Sequence, residues 1–262
     1  MSADADAEGD ALWSSIVDAA SDAYRHADAH ARRFARAKLA HDSVFRHVLE
    51  QGLVPPGAHV LDVGCGQGLL ASLLGAAGAI AAAGRWPARW APPPVGAHVT
   101  GFDLLPLDLA RATSANGRVA TFIHGDMRRF TPPPCDVAVF FDTLHYIALD
   151  EQDEVLARVR RALRPGGAML LRVGDAGEPL RFRLGLWIDR VTMLLHGGGF
   201  GPLQGRALAQ WTATLASLGL EVESRPMNGR PPFANRLIVG RVPQRAAAAG
   251  EVRVSPGLHR HS

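Results

Sequence analysis

The sequence predicts an α/β protein built on a mostly parallel sheet with helices on both faces. Two observations carry that prediction. Short, nearly continuous apolar runs recur at residues 59–63, 99–102, 119–123, 136–141 and 168–173, with helical stretches between most of them. Runs of that length without polar alternation are strands buried on both faces, the pattern of parallel sheets rather than of half-exposed antiparallel ones. The first run also passes through a glycine-rich turn directly into a helix that begins with Leu69 to Leu74. Strand, tight turn and helix in that order place a ligand at the carboxyl edge of the sheet.

Taken in order, residues 1–12 are small and acidic and are expected to be disordered, as is the tail at 243–262 with its Ala246 to Gly250 run. Residues 13–57 form a helical cover. Trp13, Ile16, Val17, Ala20 and Tyr24 recur at helical spacing, as do Phe34, Leu39, Val44, Phe45, Val48 and Leu49 further on. The alternating strands and helices occupy 58–242, with two interruptions. One spans about 76–97, where Trp86, Trp90 and Pro92-Pro93-Pro94 predict a rigid loop. The other spans about 175–210, holds Arg181, Phe182, Arg183, Trp187 and Arg190, and is placed to act as a lid.

The whole chain has 262 residues, 47% of them hydrophobic and 20% charged, enough to bury a full core. Its pI of about 9.4 accompanies a formal charge of only +3, because every basic residue except Lys38 is an arginine. These arginines are scattered without a basic stripe, so no nucleic acid is expected as a partner. Two cysteines, Cys65 and Cys135, make neither a disulfide framework nor a metal site. The acidic start is unlike a targeting signal, and the longest apolar run, 69–84, falls short of the roughly 20 residues that span a bilayer. A cytoplasmic protein without a membrane anchor or metal is expected.

The chemistry is concentrated in Val60-Leu61-Asp62-Val63-Gly64-Cys65-Gly66-Gln67-Gly68. Glycines at alternate positions after a strand let the backbone turn tightly against a ligand that a Cβ would exclude. The acid just before them suits a cationic group better than a pyrophosphate, and the spacing differs from G-x-G-x-x-G. This segment resembles motif I of the class I S-adenosylmethionine-dependent methyltransferases, and further elements follow in that family's order. Gly101-Phe102-Asp103-Leu104 resembles the acid that receives the ribose hydroxyls. His124-Gly125-Asp126-Met127 resembles the element around the adenine. Leu163-Arg164-Pro165-Gly166-Gly167 resembles the turn into the fifth strand.

The resemblance implies a Rossmann-like class I methyltransferase fold: a seven-stranded sheet, mostly parallel, with the last strand, within 233–242, antiparallel. It implies S-adenosyl-L-methionine as cofactor. Asp62, Gly64, Cys65, Gly66, Gln67 and Gly68 would take its methionine moiety, Asp103 and Leu104 its ribose, and Gly125, Asp126 and Met127 its adenine, with Phe141 beside it. For the glycines an ordinary turn is the competing reading, and for Asp126 a helix N-cap.

A narrower resemblance joins the chain to bacterial methyltransferases associated with aryl polyene and xanthomonadin-type pigment biosynthesis. It is carried by Phe34-Ala35-Arg36-Ala37-Lys38-Leu39, Asp142-Thr143-Leu144-His145-Tyr146, Leu171-Arg172-Val173-Gly174-Asp175-Ala176 and Pro232-Phe233-Ala234-Asn235. The chain departs from that group at Ala37, Asn228 and Arg230. The resemblance implies a small aromatic or polyketide-derived acceptor methylated at oxygen or carbon.

A base is required only for an acceptor that holds a proton. His145, just past the fourth strand, is the candidate, with a packing histidine as the rival reading. The lid's aromatic and basic residues would hold the acceptor or, equally, form a packing stripe. Cys135 follows Pro134, but lies at the start of the fourth strand, the wrong edge for a nucleophile. The alternatives are methylation of nitrogen or RNA, and a cofactor-binding protein without catalysis. Binding of S-adenosylhomocysteine and turnover separate these.

Overall fold

A computed structural model describes residues 2–177, 204–227 and 235–244, with side chains from residue 7 onward. The helical cover consists of α1 (Ser2–Asp22), a 3-10 turn (Ala23–His26), α2 (Ala29–His41) and α3 (Ser43–Glu50). Then come β1 (His59–Val63), α4 (Leu69–Ala82), β2 (His98–Asp103), α5 (Pro106–Asn116), β3 (Ala120–His124) and β4 (Cys135–Phe141). A 3-10 turn (Leu144–Tyr146) leads to α6 (Leu149–Ala162) and β5 (Leu163–Gly174), and the chain ends with α7 (Leu208–Ser217), β6 (Glu221–Pro226) and β7 (Asn235–Arg241).

The seven strands lie in the order β3-β2-β1-β4-β5-β7-β6. Those from β3 to β5 pair in parallel, and β7 runs antiparallel to both its neighbours. The order reverses between β1 and β4, so the crevice for a ligand opens at the carboxyl ends of these two central strands.

The period of two along each strand divides the core. Val137 and Val139 of β4, with Ala168 and Leu170 of β5, face the layer formed by the cover and α4. The intervening Ala138, Phe140, Met169 and Leu171 face the layer of α6 and α7, where Leu156 and Trp211 are buried. Both faces are thus filled, which is why these strands read as unbroken apolar runs.

The structure departs from the sequence reading in several places. Residues 2–12 are helical, not disordered. Their Ala, Asp and Glu composition suits a helix start, where acids complement the dipole. Tertiary contacts also hold the segment: Gly9 lies against Arg89, Asp10 pairs with Arg46 at 2.7 Å, and Trp13 is buried. The interruption at 76–97 is shorter than expected. The helix continues through Ala76, Ala77 and Ile80, all buried, and leaves a loop from 83 in which Trp86 meets Trp90 edge to face at 5.3 Å. The polar edge strand β6 carries no apolar run and the sequence reading gave it no range of its own. Residues 178–203, the core of the segment expected from sequence to act as a lid, with Arg181, Phe182, Arg183, Trp187 and Arg190, and the tail beyond 244 lie outside the described residues.

Candidate active site

A cavity of about 580 Å³ opens where β1, β2 and β4 end, within the range of small-molecule sites. Its floor is the glycine turn. Gly64, Gly66 and Gly68 have φ of +76°, +51° and +79°, a region that favours glycine. A Cβ on Gly64 would stand 2.7 Å from the Thr143 side chain, whereas one on Gly66 would meet nothing within 4 Å. Gly64 N–H donates to Phe102 O at 2.7 Å, tying the turn to β2. Gly68 does not line the cavity. It starts α4 and packs against Phe122, so its role is the turn itself.

Asp62 before the turn, Asp103 and Asp126 bring carboxyl groups to the cavity. Asp62, at 5% exposure, has no hydrogen bond among the described residues. Burial, and then the nearby Asp103, push its pKa up to about 7. Asp103 ends β2 and accepts from Gly66 N–H and Leu105 N–H at 2.8 and 2.9 Å, while burial holds its pKa above the usual carboxylate value. Asp126 accepts from the Arg128 backbone N–H at 2.9 Å within a turn, where no helix begins for it to cap, and is forked by the Arg128 guanidinium, which holds its pKa down. It still lines the cavity, as do Leu104, Gly125 and Met127.

The helical cover forms the opposite wall. His30, Phe34 and Lys38 lie four residues apart along α2, so they share one face, and all three line the cavity. The face of α2 carrying Ala31, Ala35 and Leu39 is buried in the core. Two hydrogen bonds join the cover to the glycine turn: Tyr24 donates to Gln67 O at 2.7 Å, and Gln67 Nε2 donates to Ala31 O at 3.1 Å. Gln67, proposed from sequence as a cofactor contact, lines the cavity but commits its side-chain amide to this joint.

Beyond Phe141, whose ring stands edge to face with Phe45 at 6.0 Å, a group of charges ends the cavity. Arg172 of β5, only 4% exposed, bonds Asp142 through Nε at 2.8 Å and also pairs with Asp42, the residue that caps α3. Lys38 Nζ lies 3.0 Å from Asp42 and 3.8 Å from Asp142. Burial alone would raise the Asp42 pKa, but Arg172 and Lys38 outweigh it and hold the carboxyl below its usual range. Asp142 has a φ of +56°, the one non-glycine residue described in that region, a strain typical of functional sites.

His145, the base candidate, is not among the cavity-lining residues, whereas its neighbour Tyr146 is. The histidine ring packs on the tyrosine ring at 4.1 Å between centroids, and burial depresses its pKa to about 4. It stands past the carboxyl end of β4, as the sequence implies, in the packed setting of the rival reading. The sequence reading gave no role to Lys38, Asp42, Asp142, Arg172 or Tyr146. Cys135 opens β4, at the edge away from the cavity, as expected. The described residues contain no group of His, Cys, Asp and Glu suited to a metal, and no helix long and apolar enough to cross a membrane.

The sheet order and the glycine turn define a Rossmann-like fold whose ligand crevice is lined by acids. Residues 28–224 match the methyltransferase domain family, to which the chain belongs. The carboxy-S-adenosyl-L-methionine synthase of Chromohalobacter salexigens is 32% identical over 120 residues, 44% of this chain and 39% of that protein. The acetylserotonin O-methyltransferase of Mus musculus is 39% identical over 103 residues, 37% of this chain and 24% of that protein. The chain thus spans well under half the length of either relative. Human N-acetylserotonin methyltransferase, solved with S-adenosylmethionine, has the same fold, with a TM-score of 0.56 at 19% identity over 80% of this chain and 54% of that one.

The cavity fits S-adenosyl-L-methionine. Asp62 offers a buried carboxyl without a bonded donor, Asp103 a carboxylate at the end of β2, and Gly66 an open approach to the backbone.

Proposed function

We propose that this protein transfers the methyl group of S-adenosyl-L-methionine to a small acceptor, aromatic or polyketide-derived, at oxygen or carbon. The observation that carries the reading is Asp62: its carboxyl, 5% exposed, lines the cavity floor without a hydrogen bond among the described residues, and burial that disfavours its charge leaves it suited to a ligand that brings a cation or a donor. The cofactor, when bound, supplies an activated methyl group on a sulfonium. Asp62 and the Gly64–Gln67 backbone would hold the methionine moiety, Asp103 and Leu104 the ribose, and Gly125, Asp126 and Met127 the adenine, with Phe141 where the cofactor meets the acceptor space.

The protein's remaining task is to present the acceptor's lone pair behind that methyl and to exclude water. Phe34, Phe45 and Phe141 supply apolar walls for a planar acceptor, and Tyr146 and Asp142 are the polar groups on its side. Tyr146 and Asp142 would orient the acceptor toward the methyl group that the bound cofactor supplies, and the proton of a protic acceptor would pass to solvent water. His145 receives no part in this step, because its ring is packed away from the cavity. The printed names of the mouse and human relatives describe methylation of a small aromatic molecule, which favours such an acceptor over RNA.

Calorimetry with S-adenosylhomocysteine tests the reading. Saturable one-to-one binding is expected, reduced at least tenfold by Asp103→Ala. A well-folded protein that shows no binding, with the variant behaving identically, overturns it. Binding without S-adenosylhomocysteine formation over a panel of phenols and activated carbon acids would favour the non-catalytic alternative.

A further inference from the structure

The charges lining the cavity are not equivalent. Arg111 is held by Asp28 and Asp108 at 2.8 and 3.2 Å, Arg128 by Asp126 and Glu151 at 2.6 and 3.3 Å, and Arg172 by Asp42 and Asp142. Each guanidinium is thus fixed between two carboxylates of the fold. Lys38 differs: its side chain is 37% exposed, and Asp42 and Asp142, beside which it lies, are both also held by Arg172. Lys38 can therefore turn toward a ligand without leaving a buried carboxylate unpaired, which would otherwise make the movement prohibitive. A lysine ammonium on a flexible stem, with three rotatable donors, suits such an exchange.

Its position on α2 supports the same role. Phe34 and His30, one and two turns before it on the same helix, also line the cavity, and the backbone of this helix is bonded to the glycine turn through Gln67 and Ala31. One cavity thus carries a buried acid with no hydrogen bond, Asp62, and a cation that can change partners, Lys38. A ligand with a cationic and an anionic group matches both.

We infer that Lys38 is a carboxylate-binding residue of this cavity, exchanging Asp42 and Asp142 for a carboxylate of the ligand. The inference rests on the cofactor reading above and names the residue that reads the ligand's anionic end. Two sources offer the same chemistry: the α-carboxylate of the cofactor's methionine moiety, or a carboxylate of the acceptor.

Calorimetry with wild type, Lys38→Met and Lys38→Arg distinguishes them, with thermal unfolding verifying that the variants fold. If the cofactor supplies the carboxylate, Lys38→Met weakens S-adenosylhomocysteine at least tenfold, leaves methylthioadenosine, which lacks the amino acid, unchanged, and Lys38→Arg recovers most of the affinity. If the acceptor supplies it, S-adenosylhomocysteine binding is unchanged, and 4-hydroxybenzoate binds the S-adenosylhomocysteine-loaded wild type but not the Lys38→Met protein. Equal weakening of S-adenosylhomocysteine and methylthioadenosine indicates a structural lysine and overturns the assignment. So does the absence of any lysine-dependent binding of either carboxylate. Failure of the wild type to bind S-adenosylhomocysteine overturns the cofactor reading and this assignment with it, whereas a failure seen only in the variant comparison leaves the cofactor reading standing.

Discussion

The Tyr24 hydroxyl donates a 2.7 Å hydrogen bond to the backbone carbonyl of Gln67, 43 residues further along the chain and inside the glycine turn. Ser72 Oγ lies 3.0 Å from Tyr24 Oη and 2.8 Å from Asn116 Oδ1, with its single proton available to one of the two, while Asn116 Nδ2 donates to Gly68 O at 3.4 Å. The helical cover and the turn that would hold the methionine moiety are one buried polar network, so a change in the cover is felt in the cofactor site. Tyr24→Phe removes the joint while keeping the ring. It is expected to cost about 1–3 kcal/mol in urea unfolding, because the carbonyl left behind is buried, and to weaken S-adenosylhomocysteine binding in calorimetry. Unaltered affinity together with lost stability would confine Tyr24 to folding.

Asp62 gives the protein a pH signature. Its folded-state pKa of about 7 lies above the 3.8 of an ordinary aspartate, so the native state retains a proton that the unfolded chain has lost. The sign follows: stability falls as pH rises from 3.8 to 7, by ~4 kcal/mol in all at ~1.36 kcal/mol per unit. Asp62→Asn is therefore expected to raise the melting temperature of the ligand-free protein at pH 8 and to leave it unchanged near pH 4. A ligand cation needs the ionised form, so S-adenosylhomocysteine affinity should tighten roughly tenfold from pH 6 to pH 8. A flat affinity over that range would argue against the contact.

Gly64→Ala tests the turn. The new methyl would stand 2.7 Å from Thr143 at a φ of +76°, so strain and collision add. A loss of about 2–4 kcal/mol in denaturant unfolding is expected, with cofactor binding abolished. A stable Gly64→Ala protein would show that the turn can rearrange.

His145 is expected to set acid stability and not turnover. Its pKa falls to about 4 on folding from an ordinary 6.5. Its contribution is fully present above pH 6.5 and is lost as pH falls toward 4, ~3 kcal/mol in all. His145→Gln should flatten the decline in melting temperature over pH 6.5–4, while the pH profile of methyl transfer keeps its shape. An acidic limb that disappears in the variant would return the base role to this histidine.

Much of the site was legible because it is local in the chain. Asp62, the glycines, Asp103 and Asp126 each stand at or just past a strand's carboxyl end, and strand order carries such positions to one edge. Boundaries governed by packing were not legible. Acidic residues 2–12 look disordered until Arg46 and Arg89 are seen beside them, and the run from Ala76 looks like an insertion until its buried face is seen.

The sequence by itself determined the strand, turn and helix succession and the acids at the strand ends, because backbone periodicity and glycine conformation are properties of neighbouring residues, and the resemblance of those motifs to a known family implied the cofactor class. Only the tertiary structure decided what faces the ligand. Lys38 on α2, Asp42 at the head of α3, Asp142 after β4 and Arg172 on β5 form one ionic group although Asp42 and Arg172 lie 130 positions apart. At the 3-10 turn, Tyr146 enters the cavity and His145 does not. Spacing fixes the edge of the sheet at which a residue falls; the direction of its side chain there is settled by what packs against it.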